Sequence, residues 1–516
     1  MSRRVLLIGL DSADAELVER WADEGHLPVL AGLRREGLWS RLGTTAEVMH
    51  VSAWPTIYTG ATPGQHGLYH AYQMRAGDQR IQRTSPSWMA RPPFWRHLDA
   101  AGRRCIVFDA FMDGPLDGFR GIQIREYGTW TWFGEPGSAP AATLAEIVRR
   151  FGRYPAPEHM DVTRVPADLV WFRDQLVRGA ATKAAATAWL LREQPWDMAF
   201  VTFAEPHGAG HYLWHVEDRD YPSHPAGGVR GLPHPVRDVY AAVDQAIGAV
   251  LAAVDDTVTV LVFSGDGMGP NYAGSHHVGP ILARLDLLHS SGAAGKPGLL
   301  KRLRQMLPLA ARETITRCLP RQRRHALATA WMNSGIDWER TKAFLVPNSN
   351  EAYVRLNLAG REPMGRLGPD EAAALLAQLD GELAGLVNPD NAIGAAERVT
   401  LVDAAFPGSE RPHLPDLVVS WRHAARIGER LAAPSCGEVH GCAPHQVSPF
   451  YTGNHRALAF VAGRGPAIGA GASLRGAHIL DIPATVLALL GVDLPRWFEG
   501  RAWDEVVGGR VAAGEG

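Results

Sequence analysis

Short apolar runs rich in β-branched residues, each stopped abruptly by Asp, Gly, Pro or Asn, constrain the fold of this chain more than any other feature. Residues 5–8, 105–108, 198–203, 258–263, 417–420 and 458–461 all have this form, which marks strands buried on both faces. Between them stand stretches with helical spacing at 15–23, 142–151, 183–193 and 236–254. This alternation predicts an α/β sheet with helices on both sides, and the ends of such strands are where functional side chains gather.

Composition adds limits. A chain of 516 residues with 46% hydrophobic and 21% charged side chains can build a large core, which excludes intrinsically disordered and fibrous classes. Lys and Arg number 52 against 54 Asp and Glu, so no net field draws the chain to a nucleic-acid polymer or an anionic membrane, and an anionic substrate needs a local site. Four cysteines, Cys105, Cys318, Cys436 and Cys442, are too few for a disulfide framework and fit a reducing compartment. The apolar start at residues 5–10 halts at Asp11, too short for a signal peptide, and no window reaches the roughly 18 apolar residues of a membrane span. The expectation is a soluble, cytoplasmic protein; oligomeric state and substrate identity are left open.

Two stretches break the alternation. Residues 285–337 set Lys296, Lys301, Arg302, Arg304, Arg312, Arg317, Arg321, Arg323 and Arg324 among leucines at helical spacing, a basic helical insert whose charges read first as a solvated face and second as a cap over an anionic partner. Residues 338–407 carry a strand-like 352–358 and a helical 370–386, a small α/β subdomain. The core is then formed by 1–284 and 408–508.

The residues that carry chemistry fall at strand ends. Asp11 follows the first strand and can ligate a metal or cap the next helix, a task that Ser12 or Asp14 could perform instead. His207 and His211, four apart with Gly208 and Gly210 between them, follow the strand at 198–203; both imidazoles can face one ion, and zinc accepts such donors. Asp266, in Ser264-Gly-Asp-Gly-Met-Gly269, ends the strand at 258–263, as a ligand or as the brace of a turn. His455 stands in Gly453-Asn-His-Arg before the run at 458–461. His50 and Ser52 open a short helix containing Trp54, followed by a Gly/Pro-punctuated turn to His66, and a helix start can hold an anion. Trp214 lies near the His pair, and His276 and His277 follow the Asp266 loop; with Ser52, Trp54 and His66 they are the candidate pocket residues. The run Cys436-Gly-Glu-Val-His-Gly-Cys442-Ala-Pro-His445 has zinc-like residue types at a spacing that fits no common zinc motif, so it reads as a loop.

Taken together, these segments resemble the alkaline phosphatase superfamily, in particular its type I phosphodiesterase and nucleotide pyrophosphatase branch. The resemblance rests on Asp11, on Ala53-Trp54 with Thr59-Gly60, Pro63 and His66-Gly67, and on Phe203 with His211-Tyr-Leu-Trp214. Gly267-Met268, Asn357 to Arg361 with Pro363 and Gly365, Gly453 to Arg456, and Asp481 to Thr485 with Leu490-Gly491 extend it nearly end to end. It implies a central mixed sheet between helices and a hydrolase of phosphoric esters, more diester than monoester. It also implies two metal ions, usually zinc and otherwise manganese or iron, about 4 Å apart. Carried over by position, His207, His211 and His455 hold one ion, and Asp11 and Asp266 the other.

The chain departs from the pattern in three places. His50 stands where the family has its Thr or Ser nucleophile, His207 replaces an Asp, and Ser264-Gly265-Asp266-Gly267 stands for Ser-Asp-His-Gly, which removes one ligand at Gly265. His50 can act as an imidazole nucleophile, as a replacement ligand with a metal hydroxide attacking directly, or as an acid–base group. The rival expectations are a member of the superfamily acting on a non-phosphate ester or amide bond with one or two metals, and a non-catalytic member retained for binding.

Overall fold

The structure is a computed structural model that describes residues 4–112, 118–128, 136–156, 165–291, 321–424, 426–441 and 451–508. The chain divides into two compact units, one built from 1–68, 85–271 and 450–516, the other from 69–84 and 272–449.

The first unit is organised by an eight-stranded sheet. Its strands in chain order are β1 (Arg4–Leu10), β2 (Leu38–Leu42), β3 (Cys105–Phe108), β4 (Ile122–Arg125), β5 (Gly137–Ala139), β6 (Met198–Phe203), β7 (Val258–Ser264) and β8 (Ala459–Arg464). They lie in the order β2-β8-β7-β1-β6-β3-β4-β5. The five central strands β7, β1, β6, β3 and β4 run parallel, and both edges are antiparallel, so the sheet is mixed as expected. Side chains alternate between two cores. Leu6, Ile8 and Leu10 of β1 join Val260 and Val262 of β7 on one face, while Val5 and Leu7 join Leu261 and Phe263 on the other. Burial on both faces explains why these strands read as continuous apolar runs.

Parallel pairing brings strand ends together. Leu10 pairs with Phe203 and Gly9 with Phe263, so the residues that leave β1, β6 and β7 share one sheet edge. Asp14 caps helix Ala15–Asp23 by accepting from the N–H groups of Glu16 and Leu17, which releases Asp11 from that task. Beyond β7, Gly267–Pro270 forms a two-stranded antiparallel ribbon with Gly453–Arg456, setting Met268 opposite His455.

The second unit holds a four-stranded antiparallel sheet of Ala343–Val346, Ala352–Leu356, Leu417–Trp421 and Ala396–Leu401, a smaller four-stranded sheet, and helix Pro369–Ala384. The run at 417–420, read from sequence among the strands of the core, pairs here with Ala352–Leu356 and Ala396–Leu401. A buried apolar run does not encode its partner. Of the basic stretch, helix Arg321–Met332 is described; Cys318 and all its named basic residues before Arg321 lie outside the described residues, as do Cys442 and His445. Cys105 and Cys436 are free thiols.

Candidate metal centre at the sheet edge

His207 and His211 sit one turn apart on helix Glu205–Glu217, which leaves β6 with Pro206 at its first turn. The ribbon that carries His455 reaches this helix because two positions lack a side chain. A Cβ on Gly210 would stand 2.8 Å from Met268, and one on Gly453 would stand 2.2 Å from the carbonyl oxygen of Gly210. Close backbone approach of this kind is a glycine's use. The carbonyl of His211 accepts from the N–H of Thr452 at 2.7 Å, which fastens ribbon to helix.

The result is a cluster of three buried imidazoles. Candidate ligand atoms of His207, His211 and His455 all lie within 4.8 Å of one another, and their ring centroids are 4.6 to 5.0 Å apart. Two Nδ1 atoms are hydrogen-bonded, His211 to the Gly453 carbonyl at 2.9 Å and His455 to Asp266 Oδ2 at 2.7 Å, and His207 Nδ1 lies 2.9 Å from Asp11 Oδ2. In His211 and His455 an acceptor at Nδ1 fixes the proton there and assigns Nε2 as the lone-pair nitrogen, the arrangement found around metal-ligating histidines. Burial, then the neighbouring His207, hold the His211 imidazole well below its ordinary pKa, in the neutral form a metal requires. Burial alone would raise the Asp11 carboxyl; the facing His207, with hydrogen bonds from Trp54 and Ser12, brings it below its ordinary value.

His50 stands beside the triad. Its 3-10 turn, His50–Ser52, precedes helix Ala53–Thr59, and its ring stacks on His455 with centroids 4.1 Å apart and planes at 25°. Ser12, read from sequence as a cap, instead adopts a positive φ of 55°, and its hydroxyl lies 3.2 Å from Asp266 Oδ2 and 3.3 Å from His455 Nδ1.

The other candidates have different surroundings. Trp54 donates its indole N–H to Asp11 Oδ1 at 2.8 Å. Ser52 and His66 have no exposed surface and do not line an open pocket. They are the ends of a hydrogen-bonded chain. His66 Nδ1 accepts from the N–H of Leu68 at 3.1 Å, so its Nε2 carries the proton and donates to Thr56 Oγ1 at 3.1 Å. Thr56 lies 3.3 Å from the Thr45 hydroxyl, and the Ser52 hydroxyl is directed to Thr45 Oγ1 at 2.8 Å and the Met49 carbonyl at 2.6 Å. Burial lowers the His66 pKa to about 3, so this donor direction holds at any ordinary pH. Through that chain His66 braces the turn that bears His50.

Trp214 is buried, with its indole 3.3 Å from Asp218. His276 and His277 belong to the second unit, where both rings approach the Gly428 carbonyl. Sequence reasoning passed over Tyr451, stacked on His211 at 4.2 Å, and the Thr45–Thr56 pair. Polar threonines inside an otherwise apolar helix start were the available signal for the latter.

A family model described as type I phosphodiesterase / nucleotide pyrophosphatase matches residues 5–442. The chain belongs to that family. This type I phosphodiesterase-family chain is therefore placed among hydrolases of phosphoric esters, and four of the five candidate ligands, Asp11, His207, His211 and Asp266, lie inside the matched span. No curated protein sequence matches it. Among solved structures, phosphonoacetate hydrolase from Sinorhizobium meliloti 1021 in complex with phosphonoformate is similar at 14% identity and a TM-score of 0.51, over 93% of this chain and 94% of that one. The murine ectonucleotide pyrophosphatase / phosphodiesterase 5 in complex with AMP follows at 13% identity and a TM-score of 0.48, over 96% of each chain. The first likeness identifies the fold as that of the alkaline phosphatase-like α/β proteins. Among the described residues, no helix is long and apolar enough to cross a membrane.

Proposed function

We propose that this chain is a metal-dependent phosphodiesterase acting on small anionic diesters, nucleotide-type substrates among them, at the His207–His211–His455 centre. The convergence of three imidazoles from two distant segments, inside a family of phosphoester hydrolases, carries this reading. The donor set fits a borderline metal: three neutral imidazole nitrogens suit zinc better than manganese, with iron between them. When bound, such an ion polarises a phosphoryl oxygen and acidifies water.

The chain's own residues supply the rest. The Gly453 carbonyl and Asp266 orient His211 and His455 through Nδ1, and Asp11 stands 2.9 Å from His207 Nδ1, so the donors are set before substrate arrives. Hydrolysis forms one phosphorus–oxygen bond from water and breaks one to the leaving group, and a proton must travel from the first oxygen to the second. His50 is the acid–base side chain outside the triad placed to carry it, held against the His455 ring at 4.1 Å.

The test is a substrate panel on zinc-loaded protein. It comprises bis(p-nitrophenyl) phosphate, p-nitrophenyl phosphate, a nucleotide diester, and p-nitrophenyl acetate with an anilide as non-phosphate esters and amides. The expected result is diester turnover above monoester turnover, lost on chelation and restored by zinc. Silence across the phosphoesters with turnover of the acetate or anilide would sink the proposal.

A further inference from the structure

The residues at this sheet edge do not fit two metal ions, and we infer that the centre holds a single ion on His207, His211 and His455, with Asp11 and Asp266 as outer carboxylates that orient the imidazoles. The inference rests on the metal-dependent reading above and narrows it.

The two carboxylates are already committed to nitrogen and hydroxyl partners. Asp11 Oδ1 accepts the Trp54 indole at 2.8 Å, a group that can only donate, and Oδ2 faces His207 at 2.9 Å. Asp266 Oδ2 takes His455 at 2.7 Å and Ser12 at 3.2 Å. Such carboxylate–histidine pairs stand behind metal ligands and raise their basicity.

A second ion also lacks donors and room. Gly265 offers no side chain where a ligand is expected. A Cβ there would stand 3.1 Å from Ala53 Cβ and 3.2 Å from Ile57 Cδ1, so a side chain at 265 would press on helix Ala53–Thr59. His50 stacks face to face on His455. Among the described residues, the group of three or more metal-ligating side chains that converges is His207, His211 and His455.

Charge gives the same answer. One divalent ion and the two carboxylates sum to zero, whereas a second ion leaves two uncompensated positive charges among residues that are each at most 8% exposed. Burying unpaired charge at that depth is costly.

The decisive measurement is metal stoichiometry by elemental analysis. Full-length protein would be purified without chelators and dialysed against zinc or cobalt, with the absorption spectrum of the cobalt form as a second readout of coordination. One ion per chain is expected, with a four-coordinate cobalt spectrum. His211→Ala should lose the ion, while Asp11→Asn should keep one at saturation with an affinity lower by roughly 10–100-fold; circular dichroism checks that each variant folds. Two ions per folded chain, one of them lost in Asp11→Asn, would overturn the single-ion assignment and leave the phosphodiesterase proposal standing. No bound ion in folded wild-type protein at saturating metal would overturn both.

Discussion

Each unit of this molecule buries a dense cluster of polar side chains, and the two clusters are built on opposite logic. In the second unit, Arg355, Arg361, Glu362, Asp416 and Arg411 close on one another. Arg361 reaches both oxygens of Asp416 at 2.7 Å, and Arg355, itself unexposed, ends on Glu362 and on the Leu414 and Pro412 carbonyls. Opposite charges face each other, and with Asp403 against Arg411 the three cations meet three carboxylates. At the sheet edge of the first unit, like faces like: three imidazoles converge within 4.8 Å while their carboxylates stand behind them. A self-satisfied cluster specifies a fold, whereas convergent donors are costly to assemble unless something binds between them.

Substitution should separate the two clusters, most sharply at the donors. His211→Ala is expected to release the metal and lower diester kcat/KM by roughly 1000-fold or more, since the ion supplies several kcal/mol to the transition state. Elemental analysis alongside kinetics checks this, and retained metal would show that the cluster is not the site. Next, His50→Ala should cut kcat by roughly 100- to 10,000-fold, the range of a lost acid–base group, while leaving metal content unchanged. Loss of the ion in that variant would make His50 a ligand.

The closed cluster should answer in stability. Asp416→Asn leaves Arg361 poorly compensated and should cost about 3–5 kcal/mol in urea unfolding, with metal stoichiometry of the folded fraction unaltered. Burial by itself would raise the Asp416 carboxyl, but hydrogen bonds and charge from Arg361, with Arg411 and Arg355, hold it below its ordinary value of 3.8. Its stabilising contribution is therefore present above that pH and is lost as pH falls through the lower folded value. The difference between wild type and Asp416→Asn should accordingly shrink in strong acid; a gap that persists there would show that the charge is not its source. The smallest effect tests the brace. Thr56→Val interrupts the chain from His66 to Met49 and should cost about 1–3 kcal/mol, with a fall in kcat at constant metal content. Unchanged kcat would mean that the turn bearing His50 needs no such support.

Legibility from sequence varied with the range of the interaction. The strands of the core, the helix after β6 and the cap at Asp14 follow from local pattern, because burial on both faces, helical spacing and a side chain accepting from the next turn's N–H groups are short-range demands. Ser12 was harder. Its proximity to Asp14 suggested a shared capping role, yet its hydroxyl faces Asp266 and His455, residues that no local rule connects to it. Thr56 and His66 are separated by a turn whose glycines signal a bend without stating which hydroxyl meets which imidazole. The run at 417–420 was recognisable as a strand but not as a partner of Ala352–Leu356, since apolar strands of similar length are interchangeable until the rest of the sheet is placed.

The sequence by itself determined the class of fold, the family, and the residue types present at the strand ends: Asp11, His50, His207, His211, Asp266 and His455 are all visible in the chain, and so is the glycine at 265. Tertiary structure alone decided which of them meet, and the roles proposed for them follow from that. An Asp that ligates and an Asp that stands behind a ligand are the same residue type, told apart only by whether an oxygen faces an imidazole Nδ1 or the space between the imidazoles, and that depends on distances of about 3 Å between residues far apart in the chain.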